Sequence, residues 1–218
     1  MSDLAALRDL VEMDLDDAGN ATWTTGEVDR SIKRALVEYS RVSPQRVVGS
    51  LLLAADGREI SVSTLTGLTG VVRVWHPYTA LNPEDPPEWR RWELWGTTLY
   101  ILDGAEPASG ESVRVYYHKG HTIDDLDAAT STTVPVDDEE VIVLGAGAYA
   151  AMQKARGSVG AAGVSTETPE HWLRWAVARM DGFATALSGV RWRELRRIDK
   201  RVPLHGGGWR DEGKQGGI

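Results

Sequence analysis

The sequence contains no cysteine, which excludes disulfides and thiolate metal sites alike. That fits a protein made and assembled in a reducing compartment. No apolar run approaches the roughly 20 residues a membrane-spanning helix needs. The opening stretch MSDLAALRDLVEMDLDD is acidic and lacks the basic-then-apolar order of a secretory signal. The chain has no nucleophile elbow, no phosphate loop and no zinc-protease pattern. His76, His171 and His205 are isolated. His118 and His121, with Asp124, Asp125 and Asp127, match no metal-ligand spacing and read as a solvated turn where a strand enters a loop. The four acids Asp137, Asp138, Glu139 and Glu140 need no catalytic explanation, because carboxylates suit the first turn of a helix. These absences point away from an enzyme and predict no catalytic residues, no cofactor and no bound metal.

What remains is 218 residues of ordinary globular composition, enough for one domain with an insertion or for two small domains. The net charge of −8 is unevenly distributed. From Arg191 to the end, eight basic residues stand against four acidic ones, a surplus of four that leaves −12 for the rest. An acidic body with a basic end suggests a segment that docks on something negative, although a solvated terminus would look the same.

Leu4, Leu7, Leu10 and Val11 recur at helical spacing, which predicts a short amphipathic helix over 3–15. Thr24-Thr25-Gly26-Glu27 has capping-box spacing and opens a second helix striped by Val28, Ile32, Ala35, Leu36 and Tyr39, with Pro44 as its stop. From residue 46 the period changes. Val47–Ala54 and Arg58–Leu65 flank Asp56-Gly57, which predicts a hairpin. Val71–Trp75 is a further strand. Residues 76–91 carry four prolines and read as a long exposed loop. Arg91–Trp95 and Thr98–Leu102 flank Gly96-Thr97 as a second hairpin, and Val113–His118 is the last strand. The result is a mostly antiparallel β region of about six strands. An acidic, threonine-rich connection then leads back to helical sequence.

The stretch DDEEVIVLGAGAYAAMQKAR, residues 137–156, decides the reading. As a strand entering the run Gly145-Ala146-Gly147 it would open a dinucleotide-binding unit. That unit needs a second buried strand closed by an acid about 20 residues on. Glu167 has the spacing, but the residues before it form a Gly/Ala/Ser loop, 157–165, and too little chain follows. As one helix, the stretch has acids at its start, Lys154 and Arg156 at its end, and a flank almost without side chains: Gly145, Gly147, Ala148 and Ala151. Glycine inside a helix costs about 1 kcal/mol relative to alanine. Two in three positions therefore predict the close approach of another backbone, from another helix of the same chain or from the next copy in an oligomer. Thr168-Pro169 then starts a last helix, bent near Ser188-Gly189 and ending near Ile198, before the glycine-rich end.

Nine tryptophans are present. Trp75, Trp89, Trp92 and Trp95 cluster around the proline-rich loop and are candidates for core, for a protein interface or, more distantly, for sugar platforms. Alternation puts Trp92 and Leu94 on one face of their strand and Trp95 on the other.

The order is helix, helix, β insertion, helix, helix, basic tail. Taken with GEVDRSIKRALVEYSRVSP, with SVRVYYHKGHTID leading through TTVPVDDEEVIVLGAGAYAAMQKAR, and with HWLRWAVARMDGFATAL, it resembles the head–tail connector (adaptor) proteins of tailed bacteriophages. The resemblance covers roughly residues 3–45 and 135–198. It implies an α+β fold: a small helical bundle of residues 1–45 and 135–198, a β domain of residues 46–134 inserted between its halves, and an extended docking tail of residues 199–218. It further implies a homo-oligomeric ring, usually of twelve copies, at the head–tail junction of a virion assembled in the host cytoplasm. A portal protein would lie on one side and the next neck or tail protein on the other, with no membrane contact. DNA would pass through without sequence-specific binding. Arg191, Arg193, Arg196, Arg197, Lys200, Arg201, Trp209 and Arg210 would dock on the portal. The rival readings are a carbohydrate-binding or host-recognition module built on the tryptophan-rich strands, and a nucleotide-dependent enzyme using Gly145 and Gly147.

Overall fold

The structure is a computed structural model that describes residues 2–17, 19, 21–81, 87–158 and 167–199; of 158, 167, 168 and 197–199 it describes the backbone alone. The fold is α+β. Four helices, α1 (Leu4–Asp14), α2 (Thr25–Val42), α3 (Glu139–Ser158) and α4 (Glu167–Asp199), enclose the chain's β region in sequence. That region has seven strands: β1 (Gln45–Leu52), β2 (Glu59–Ser61), β3 (Leu68–Trp75), β4 (Trp89–Arg90), β5 (Trp92–Trp95), β6 (Thr98–Ile101) and β7 (Ser112–Lys119).

Local chemistry sets the first two helices. The Asp3 carboxylate accepts the Ala6 N–H at the start of α1. At α2, Glu27 reaches back to accept both the N–H and the hydroxyl of Thr24. Those two bonds hold the Glu27 carboxyl below its usual range. Leu4, Leu7 and Val11 of α1 and Val28, Ile32, Ala35, Leu36 and Tyr39 of α2 are buried in one cluster with Ile142, Ala146, Ala150 and Phe183.

The decisive stretch is helical. α3 begins after the 3-10 turn Val136–Asp138 and runs unbroken through Gly145 and Gly147 to Ser158, one residue past Gly157, where the sequence suggests a loop has begun. Of that predicted loop, residues 159–166 lie outside the described residues. Gly145, Ala146, Gly147, Ala148, Ala150 and Ala151 are all buried. A helix without an amphipathic stripe belongs inside, and α3 packs against α1, α2 and α4 together. α4 continues through Ser188-Gly189 as one helix to Asp199, close to the end expected near Ile198. Its 33 residues span about 50 Å at 1.5 Å per residue.

The β region corrects two predictions. The chain bends at Asp56-Gly57, but no hairpin closes there. β1 pairs antiparallel with β7 over eight residues, from Gln45 opposite Lys119 to Leu52 opposite Ser112, while β2 pairs with β6 in another sheet. The long register outweighs the local turn signal, and Leu53 continues it by exchanging backbone bonds with Glu111 and Gly110. The sheets have orders β1-β7-β3-β4 and β2-β6-β5 and share one core. Leu51, Val71, Val74, Val113 and Val115 from the first meet Ile60, Leu99 and Ile101 from the second. The hairpin β5–β6 forms around Gly96-Thr97. Residues 76–91 are not wholly an exposed loop: His76 is buried, with Nε2 2.9 Å from Glu111, and β4 pairs Trp89 and Arg90 with Trp75 and Val74. Residues 82–86 lie outside the described residues.

Candidate protein interface

The bare flank of α3 is occupied from within the chain. A Cβ on Gly145 would sit 2.8 Å from the Cβ of Ala35 on α2 and 2.7 Å from the ring of Phe183 on α4. A Cβ on Gly147 would sit 2.6 Å from Asp14 and 3.0 Å from Arg179. Arg179 binds the Asp14 carboxylate and, at 2.7 Å, its carbonyl, while lying over the Trp175 ring. Gly145 thus lets α2 and α4 close on α3, and Gly147 admits the ends of Asp14 from α1 and Arg179 from α4, while Ala148 and Ala151 are buried.

Two of the four acids at the start of α3, Asp138 and Glu139, have individual partners that helix-dipole reasoning misses. Asp138 is buried and accepts the Tyr39 hydroxyl at 2.6 Å and the Arg193 guanidinium. Burial first, and the bond to Asp138 second, push the Tyr39 hydroxyl well above its ordinary range. The same carboxylate raises Arg193. Glu139 accepts both the N–H and the hydroxyl of Ser2, each at 2.7 Å.

Asp17 organises the α1–α2 turn. Burial alone would raise its carboxyl, but bonds from the N–H groups of Trp23, Thr22 and Ala21 together outweigh this and lower it. His118 and His121 are both held below the usual histidine range, first of all by burial. His121 is tied through Nδ1 to the Thr133 carbonyl at 2.9 Å. These two rings and Lys33, Leu36, Val37 and Ser40 line a groove of about 550 Å³, in which Lys33 is paired with Asp127. No group of three or more metal-capable side chains occurs among the described residues. A histidine whose folded value is depressed favours folding above its unfolded value and opposes it as pH falls. Stability should therefore decline as pH drops below about 6.5. His121→Gln should flatten that decline in thermal melts recorded between pH 7 and pH 5.

The four tryptophans of the β region divide. Trp75 is buried and Trp92 packs against the β core. Trp89 is 42% exposed, yet the Arg73 guanidinium lies 5.1 Å from its ring centre and Tyr116 meets it edge-on. Trp95 is 73% exposed, with its Nε1 bonded to Glu93. A sugar platform needs an open ring face, and of these four Trp95 comes nearest to offering one.

Arg191, Arg193, Arg196 and Arg197 belong to α4, within the helix end expected near Ile198. Arg193 is committed to Asp138, and its neighbour Glu194 binds Arg46 at 2.6 Å, which pins α4 to the start of β1. Arg191 and Arg196 are exposed, with no ion pair among the described residues. Between them Trp192 is 64% exposed and Leu195 is 47% exposed. Sequence reasoning passed over these two, although their spacing of three puts them on one helix face. Lys200, Arg201, Trp209 and Arg210 lie outside the described residues.

No protein-family model and no curated protein matches the chain. Among solved structures, a chain from the neck of an empty GTA particle computed with C6 symmetry aligns at 16% identity with a TM-score of 0.30, over 67% of this chain and 76% of that one. At that score the likeness adds nothing to the reading of the fold.

Proposed function

We propose that the chain is a structural component of a phage-type virion neck, a connector that forms a ring between portal and tail. The observation that carries this reading is the end of α4. There Trp192 and Leu195 stand exposed between Arg191 and Arg196, which form no ion pair among the described residues, directly before a glycine-rich, basic stretch of sequence. Aromatic and arginine side chains that gain burial on association are the usual anchors of protein interfaces. The rest of α4 is fixed to the bundle by Arg179 and Arg193, so these turns form a rigid base for whatever follows.

The docking element in this reading is Arg191, Trp192, Leu195 and Arg196, continued by Arg197, Lys200, Arg201, Trp209 and Arg210. Arg193 is a structural cation. The partner is a portal, and the other side of the ring meets the next neck or tail protein. Twelve copies is the number the family resemblance implies. The acidic body fits a channel whose wall repels DNA, with Asp and Glu lining the lumen and no cofactor involved. Each arm binds weakly, and a ring multiplies the effect through effective concentration.

Trp192→Ala tests the docking surface. It should leave the melting temperature unchanged and weaken capture by the purified portal roughly 30-fold, as expected for an interface anchor worth about 2 kcal/mol. Unchanged capture would remove this surface from the account.

A further inference from the structure

The outer face of the four-stranded sheet carries a pattern that the neck reading leaves unused. Along β7, Val113, Val115 and Tyr117 point into the core, so Arg114 and Tyr116 point out. Arg73 lies opposite Tyr116 and Trp75 opposite Arg114, while Val48 flanks Tyr116 from β1. Arg73 covers the Trp89 ring, and Arg114 lies over the Tyr78 ring at 4.6 Å and donates to its hydroxyl. Neither arginine meets a carboxylate among the described residues, and Arg114 Nε is buried without an acceptor there. Of the nearby acids among the described residues, Glu88 is engaged by Arg90 and Glu111 by His76. Two cations on an aromatic bed, with no carboxylate partner among the described residues, call for a partner that is anionic and partly apolar. Guanidiniums over the rings and edge-on packing leave little open ring surface for stacked bases, so a protein carboxylate suits the face better than nucleic acid.

The same chain exposes the complement. On the outer side of α1, Leu10 and Met13 stand three residues apart, Met13 63% exposed. Asp9, Glu12 and Asp16 surround them, and none of the three forms an ion pair among the described residues. α1 is about 16 Å long at 1.5 Å per residue, and the eight-residue strands β1 and β7 run about 26 Å, so the helix fits within the sheet face.

The geometry points to the outer face of the four-stranded sheet as the seat for α1 of a second copy, with Asp9 and Glu12 meeting Arg73 and Arg114, and Leu10 and Met13 packing on Trp89, Tyr116 and Val48. The contact joins two different surfaces, so it runs head to tail and closes into a ring when the rotation closes. It deepens the neck reading and rests on it.

The absence of cysteine makes the test clean. Full-length Met13→Cys and Val48→Cys chains are prepared separately and treated with a short bismaleimide, alone and mixed, with and without the portal. The mixture should yield a cross-linked dimer and each variant alone should not. A chain carrying both changes should yield a ladder. Arg73→Glu should cut the yield roughly tenfold, and Asp9→Lys in the same chain should restore it. Dimers from one variant alone would mean a symmetric contact and overturn the proposal. Oligomers in native mass spectrometry without any cross-link would overturn it and leave the ring standing. A chain that stays monomeric in every condition would overturn both. Retention on immobilised DNA that Arg73→Glu abolishes would assign the face to nucleic acid instead.

Discussion

Gly145→Leu should lower stability by about 3 kcal/mol or more, the upper part of the range for overpacking a closed site. For a chain of this size that is a fall in melting temperature of roughly 6–12 °C. The reason lies in what surrounds the position. A bare Cβ already meets the Cβ of Ala35 and the Phe183 ring at 2.7 to 2.8 Å. One belongs to α2 and the other to α4, so neither can retreat without moving a helix. Gly145→Ala should also destabilise, because the gain of about 1 kcal/mol in helix propensity is smaller than the strain. Gly147→Ala is the contrast. Its closest neighbours are the ends of the Asp14 and Arg179 side chains, which can shift, so it should stay within about 1 kcal/mol of wild type. Thermal or denaturant unfolding of the three variants checks the order. Equal effects at 145 and 147 would contradict the packing described for α3.

Asp138→Ala is the second large effect, a loss of about 2–4 kcal/mol. It leaves the buried Tyr39 hydroxyl without its acceptor and takes from Arg193 the carboxylate that ties the far end of α4 to the bundle. Arg193→Ala should cost less, under about 1 kcal/mol, because that side chain is half exposed and its pair is screened. Hydrogen exchange should locate the Asp138→Ala damage in the last turns of α4 and the start of α3. Damage spread evenly over the molecule would mean that Asp138 does not act as the tie between them.

Local signals read the helices well because the cause is local. The Thr24–Glu27 contact starts α2 in the structure as its spacing predicts, and two glycines among acid-led, base-ended sequence proved to be a packed helix interior. The β5–β6 hairpin was legible for the same reason. Legibility failed where the deciding partner is distant. β1 chooses β7, 60 or more residues away, over the nearby β2, and no turn signal encodes that choice. Asp138 looked like one of four interchangeable acids until Tyr39 and Arg193 were placed on it. Arg193 looked like part of a free basic arm for the same reason. Trp192, Arg73 and Arg114 became candidates only once exposure and missing partners could be seen, and exposure is a property of the fold, not of residue type.

The account stands most directly on whether copies of this chain close into a ring. Native mass spectrometry of the purified protein, alone and mixed with its portal, reads this without labels. The account predicts a single closed multimer, twelve copies by the family resemblance, formed alone or on the portal, and loss of the portal-bound species with Trp192→Ala. A chain that remains a monomer at high concentration and in the portal's presence would contradict it.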